Sequence, residues 1–217
     1  MYNLLLKELK LGVNPFFYIL PLLTGALMLI PGWLYFLVIL YFCFITVPNL
    51  FGGYKSQNDL MFTGMLPVAK KDIVKAKVAL IVLLELLHIV IAVIYGLISV
   101  RLYPNLTYYF FAPSIGFWGL CLVMLAIFNL LFIAMYYKTA YKYGAASIVS
   151  ITAATLFAGG AEWLGIQSPL VHDLFKGSGA DSITTQLSIL FACIAIFAIF
   201  TFLAYHIGYK RFLKVEI

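Results

Sequence analysis

Charge is what this chain has least of. Only 10% of its 217 residues are Asp, Glu, Lys or Arg, and 65% are hydrophobic; an ordinary soluble domain carries about 25% charged residues, so a water-soluble fold is excluded. Cysteine is also sparse. Cys43, Cys121 and Cys193 lie far apart inside apolar runs, without metal-ligand spacing, and read as small core residues that imply no disulfide framework. The chain has no GxxxxGK[ST] phosphate loop, no HExxH zinc helix and no GxSxG nucleophile elbow. It is therefore not expected to hydrolyse ATP itself, and no catalytic residue, metal site or bound cofactor is assigned. A signal-peptide layout is missing as well: Lys7, Glu8 and Lys10 precede an apolar run that has no convincing small-residue cleavage site, so the first apolar segment is expected to remain in the mature protein.

What the chain does have is apolar length. Runs at about Pro15 to Ile30, Trp33 to Tyr54, Ile73 to Val100, Pro113 to Tyr137, Gly144 to Trp163 and Thr184 to Ile207 approach or exceed the roughly 20 residues that cross a bilayer core. The prediction is an all-α, polytopic membrane protein with six transmembrane helices. Of the 14 Lys and Arg residues, all but Arg101 and Lys176 fall in the N-terminal segment, in the stretch Lys55 to Lys77, at Lys138 and Lys142, or in the tail at Lys210, Arg211 and Lys214. The positive-inside rule then places both termini in the cytoplasm. It also accounts for the net charge of +6 without a nucleic-acid partner. The chain reads as one transmembrane domain, residues 1–217. Residues 1–14 form an interfacial helix, with leucines among Lys7, Glu8 and Lys10. Residues 55–77 form a cytoplasmic loop, and residues 164–184 form an outer segment that holds a short or re-entrant helix.

Three constellations stand out against this apolar background. The polar insert from Lys55 to Lys77 holds five Lys residues and the string Leu66-Pro67-Val68-Ala69-Lys70-Lys71-Asp72. Asn58 suits an N-cap for a short helix from Asp59 to about Met65, and Leu60, Met61, Phe62 and Met65 offer an apolar knob for a groove on a soluble partner; Lys70, Lys71, Lys75 and Lys77 also suit headgroup anchoring. The second constellation is Glu85 with His88, three residues apart on one face of the third span, where ionisable groups are costly and need partners. It reads as a buried polar pair, with a substrate or proton pathway as the functional alternative. The third is a stripe on the fifth span, Ala146, Ser150, Ala154 and Ala158 with Glu162 continuing it, whose small side chains permit close helix approach either within one subunit or, as favoured here, at a subunit interface or pathway.

The layout and the stretch from Asn58 to Lys77 resemble a bacterial ABC-2 type transporter permease. Leu66-Pro67-Val68-Ala69-Lys70-Lys71 is similar to that family's leucine-proline signature ahead of the third helix, with Ala69 where serine is frequent and Lys70 where arginine is. Among such permeases, the small six-helix form resembles exporters of amphipathic peptides such as phenol-soluble modulins. The resemblance implies a membrane-spanning permease subunit of the bacterial cell membrane that exports an amphipathic or hydrophobic substrate. It implies as partners a soluble ABC nucleotide-binding subunit that binds ATP and Mg, and a second permease subunit, identical or related. Asp59, Leu60, Phe62, Met65, Leu66, Pro67, Val68, Lys70 and Lys71 would then form the ATPase-partner interface, with the helix from Asp59 to Met65 as its coupling element. The rival readings are a self-contained channel or proton-coupled transporter using Glu85 and His88, and a non-transporting membrane scaffold.

Overall fold

A computed structural model describes residues 2–106, 108–139, 142–176 and 180–215. All regular structure among them is helical. Helix α1 (Tyr2–Lys7) continues through a wide π-helical turn, Glu8–Gly12. The chain then turns where the Phe16 amide donates to Asn14 Oδ1 at 2.9 Å, and α2 (Phe16–Gly25), extended by a 3-10 turn at Ala26–Leu29, leaves at 71° to α1. These two pieces hold 10 and 4 residues, about 23 Å of rise, which is short of a full hydrocarbon core. The outer turn that follows uses Gly32 at φ 70°, a conformation glycine adopts without steric cost.

The second span joins α3 (Phe36–Tyr41), a π-helical stretch Phe42–Thr46 and α4 (Val47–Ser56) into one 21-residue helix. Next come the short α5 (Asp59–Met65) and the 33-residue α6 (Lys70–Leu102). At about 50 Å long, α6 projects beyond the membrane core. The chain closes with α7 (Ile115–Thr139), α8 (Tyr143–Gln167), α9 (Pro169–Lys176) and α10 (Ala180–Phe212). Among the described residues five helices are long and apolar enough to span a membrane, and the number is six if the bent α1 and α2 pair counts as one broken span. The expected outer segment, residues 164–184, contains α9; its residues 177–179 lie outside the described residues.

Helix α7 is the centre of the bundle and α10 its flank: 72% of the α7 span is buried against 17% of the α10 span. Their close approach depends on glycine. A Cβ on Gly119 would stand 3.2 Å from Cys193 Cβ, and one on Gly208 would stand 2.9 Å from Ile133 Cγ2. The small-residue stripe of α8 follows the same logic. Ala146, Ser150, Ala154, Ala158 and Glu162 are all buried within the single chain, where α8 packs against α7 and the second span. The favoured subunit-interface role is thereby corrected, because small side chains serve whichever neighbour comes closest, and here that neighbour is intramolecular.

The basic segments gather at one end of the bundle. Lys7 meets α5, Lys70 donates to the Val215 carbonyl at 2.8 Å, and Arg211 donates to the Ala134 carbonyl near the end of α7. Both chain ends and the polar insert therefore lie together.

Candidate functional site

Helix α5 is a short amphipathic element whose two faces have different jobs. Its cap position, Asn58, adopts a left-handed conformation, φ 49° and ψ 33°, and its side chain makes no capping hydrogen bond. The predicted cap is thus a correction: Asn58 serves because asparagine tolerates positive φ, which lets the chain reverse out of α4. The helix ends where Leu66 becomes extended, and Ala69, also extended, starts α6 without a side-chain cap. Pro67 sits between them and cannot continue a helix.

The inner face of α5 carries a buried ionic cluster. Asp59 pairs with Lys7 through Oδ1 and with Lys77 through Oδ2, the latter at 2.7 Å. Glu8 Oε1 lies 3.3 Å from Lys7 Nζ and 3.7 Å from Lys77 Nζ. Lys7 also donates to Thr63 Oγ1 at 2.9 Å, and Lys77 Nζ sits 3.2 Å from the centre of the Tyr54 ring. Two carboxylates and two ammonium groups balance, as buried charges must. Burial alone would raise the Asp59 pKa, but the charge of Lys77 and the hydrogen bond from Lys7 outweigh it and hold the carboxyl below its ordinary 3.8. For Lys7, burial works downward, and the bond to Asp59 with the charges of Glu8 and Asp59 raises the pKa above its ordinary 10.5. Gly12 makes room for the cluster, since a Cβ there would lie 2.8 Å from Glu8 Oε2 and 2.9 Å from Tyr54 Oη.

The outer face is apolar and unpartnered. Phe62 and Met65 are 60% and 72% exposed, Met61 and Leu66 are exposed beside them, and Pro67 and Lys71 complete the surface. Between α5 and the start of α6 lies a recess of about 280 Å³ lined by Met61, Gly64, Met65, Val68, Lys70 and Ile73. Three residues grouped with the partner-facing set sit differently. Asp59 is buried in the ionic cluster, Leu60 packs half-buried against the core, and Lys70 bonds the C-terminal tail with its ammonium 5.5 Å from the Phe212 ring centre. An amphipathic helix can present only one stripe outward, and Phe62, Met65 and Leu66 occupy it.

Glu85 and His88 share the inward stripe of α6 but do not bond each other. Glu85 Oε2 accepts from Asn129 Nδ2 of α7 at 2.9 Å. His88 Nε2 lies 2.9 Å from the Val38 carbonyl and 3.3 Å from Thr24 Oγ1. The two buried polar groups make two separate ties, one linking the third span to the fourth and the other linking it to the first two. Both side chains are fully buried.

Sequence reasoning missed Lys7, Glu8, Thr63 and Lys77 as members of a site. A signal was available for Lys77, because it falls on the stripe Ile73, Lys77, Ile81, Leu84 and His88 that α6 buries, and a lysine on an apolar stripe needs an acid. No comparable pattern marks Glu8. Among metal-capable side chains of the described residues, no group of three or more converges.

Neither the search of curated proteins nor that of solved structures gave a match. A family model described as an ABC-2 family transporter protein matches residues 3–212. That span runs from α1, short of its first residue, through the ionic cluster and α5 to the end of α10, and the chain accordingly belongs to the ABC-2 transporter family as a membrane-embedded permease component.

Proposed function

We propose that the chain is the permease of a bacterial cell-membrane exporter for amphipathic or hydrophobic substrates, including amphipathic peptides, and that α5 is its coupling helix. Family membership implies association with an ATP-binding subunit; the proposal adds where that subunit docks and what is moved. One observation carries it: α5 exposes Met61, Phe62 and Met65, with Leu66 just beyond its end, while its other face is tied by ion pairs to α1 and α6. A lever needs such a design. A partner that grips the outer face moves the interfacial helix and the third span together, because breaking a buried pair costs about 3–5 kcal/mol. The apolar residues seat in the partner's groove, the recess beside Met65 receives a side chain in return, and Lys71 meets carboxylate or lipid. ATP and Mg belong to the partner.

The lateral faces of α8 and α10, of which only 28% and 17% are buried, leave surface for lipid and for a second permease subunit. The substrate class is supported by the spans, which carry few charges to compensate an ion and abundant aromatic and aliphatic surface. The family assignment takes precedence over a self-contained channel. The separate bonding of Glu85 and His88 also favours a packing role over a proton relay.

The test is co-purification in mild detergent with the ATP-binding subunit, scored for ATPase activity. Leu66→Asp combined with Lys71→Glu should release the partner while the permease keeps its unfolding temperature. Unchanged partner binding by this variant, with the spans folded, would sink the coupling assignment.

A further inference from the structure

The outer half of the bundle holds a second unusual carboxylate. Glu162, near the outer end of α8, is 5% exposed. Its Oε2 accepts from the Phe111 amide at 3.1 Å, while its Oε1 is buried without a hydrogen-bond partner. No salt bridge reaches it among the described residues. A buried carboxyl oxygen with no donor is costly, and an intramembrane acid without a fixed cation is a candidate for one that comes and goes.

Two cavities meet at this side chain. One is a lateral groove of about 320 Å³ between the second span and α8, walled by Leu34, Leu37, Leu40, Gly159, Trp163 and Ile166. The other, toward α9, is only about 10 Å³, room for about one water. Phe110 and Glu162 are the two residues common to both, so they form the partition. Groove size falls in the range of about 300–1,000 Å³ usual for small-molecule sites. The space beside Gly159 is open, since a Cβ placed there would meet nothing within 4 Å.

The geometry points to a binding site for a cationic amphiphile, with its aliphatic tail in the groove between the second span and α8 and its protonated amine on the free carboxylate oxygen of Glu162. Because Glu162 Oε1 is buried, a neighbouring side chain must shift to admit the amine, and Phe110, which lines both cavities together with Glu162, is placed to do so. Charge complementarity selects the head group and the apolar walls select the tail. The inference rests on the reading of the chain as a permease for amphipathic substrates, whose class it narrows to those bearing a positive charge.

The experiment uses the full-length permease alone in phosphatidylcholine nanodiscs, so its failure leaves the coupling assignment standing. The probe is a dodecyl-chain fluorophore with a primary amine, compared with its N-acetylated neutral analogue. Wild type should bind the amine roughly tenfold more tightly than the neutral probe, as a charge-assisted hydrogen bond predicts. Glu162→Gln, which keeps an acceptor for the Phe111 amide, should erase that preference and leave neutral-probe affinity unchanged, which also reports folding. Leu37→Trp should fill the groove and weaken both probes. The proposal is overturned if Glu162→Gln retains the amine preference, or if wild type binds both probes equally. Displacement of the amine probe by phosphatidylethanolamine at membrane mole fractions would assign the groove to resident lipid and overturn it too.

Discussion

Asp59 faces two lysines at once, and the consequences of removing its charge follow from that geometry. Asp59→Asn leaves Lys77, 1% exposed, with the more distant Glu8 as its one remaining carboxylate among the described residues, and the loss of a buried partner is expected to cost about 3–5 kcal/mol. Thermal unfolding in detergent reads this as a lowered midpoint, and Lys77→Met added to Asp59→Asn should recover part of it, since two neutral side chains leave less charge stranded. An Asp59→Asn midpoint equal to wild type would mean that the cluster is not closed in the membrane. The pH dependence has a definite sign. Asp59 has its pKa lowered from 3.8, so its contribution is present above that value and disappears as pH falls through the folded-state pKa beneath it. Lys7 has its pKa raised from 10.5, so its contribution is complete below that value and is lost as pH climbs through the folded-state pKa above it. The midpoint difference between wild type and Asp59→Asn should therefore hold steady from about pH 5 to pH 9 and shrink in acid.

At the level of elements, α5 and α8 show how one pattern can be legible and its partner not. The residues of α5 announce a short amphipathic helix, because Pro67 ends it and the apolar side chains fall on turns. Which of its faces turns outward depends on Lys7 and Lys77, 52 and 18 residues away in sequence. Helix α8 announces close packing through its small residues, but not the neighbour. With Ala154 buried at 0% exposure, Ala154→Leu should overpack the contact of α8 with its own chain and cost about 1–3 kcal/mol. The check is thermal unfolding of monomeric protein in detergent. A variant that lost only self-association while keeping monomer stability would return the stripe to a subunit interface.

For the whole molecule the decisive quantity is orientation. Charge asymmetry predicts that α5 and both chain ends face the cytoplasm and α9 the outside, and cysteine labelling tests it directly. Leu170→Cys on α9, 83% exposed, should react with a membrane-impermeant maleimide in intact cells, whereas Met61→Cys on α5, 57% exposed, should react only after permeabilisation. The native Cys43, Cys121 and Cys193 are buried and should stay unlabelled in both conditions, which removes the need for a cysteine-free background. Labelling of Met61→Cys in intact cells would invert the molecule and take α5 out of reach of a cytosolic ATPase.

Membrane residence, the sequence order of the spans, the basic character of the segments that gather at one end of the bundle and the short helix after the second span were all legible in the sequence itself. Hydropathy and charge act locally along the chain, so each can be read without knowing what lies beside it. Helix adjacency was decided only in three dimensions. Apolar faces that meet lipid and apolar faces that meet protein carry the same residues, so no periodicity could pair Asn129 with Glu85, Phe111 with Glu162, or Lys7 with Asp59 across 44, 51 and 52 residues. Those long-range partners are what separate a buried ion cluster from a row of headgroup anchors, and a carboxylate with one bonded and one free oxygen from one more member of a packing stripe.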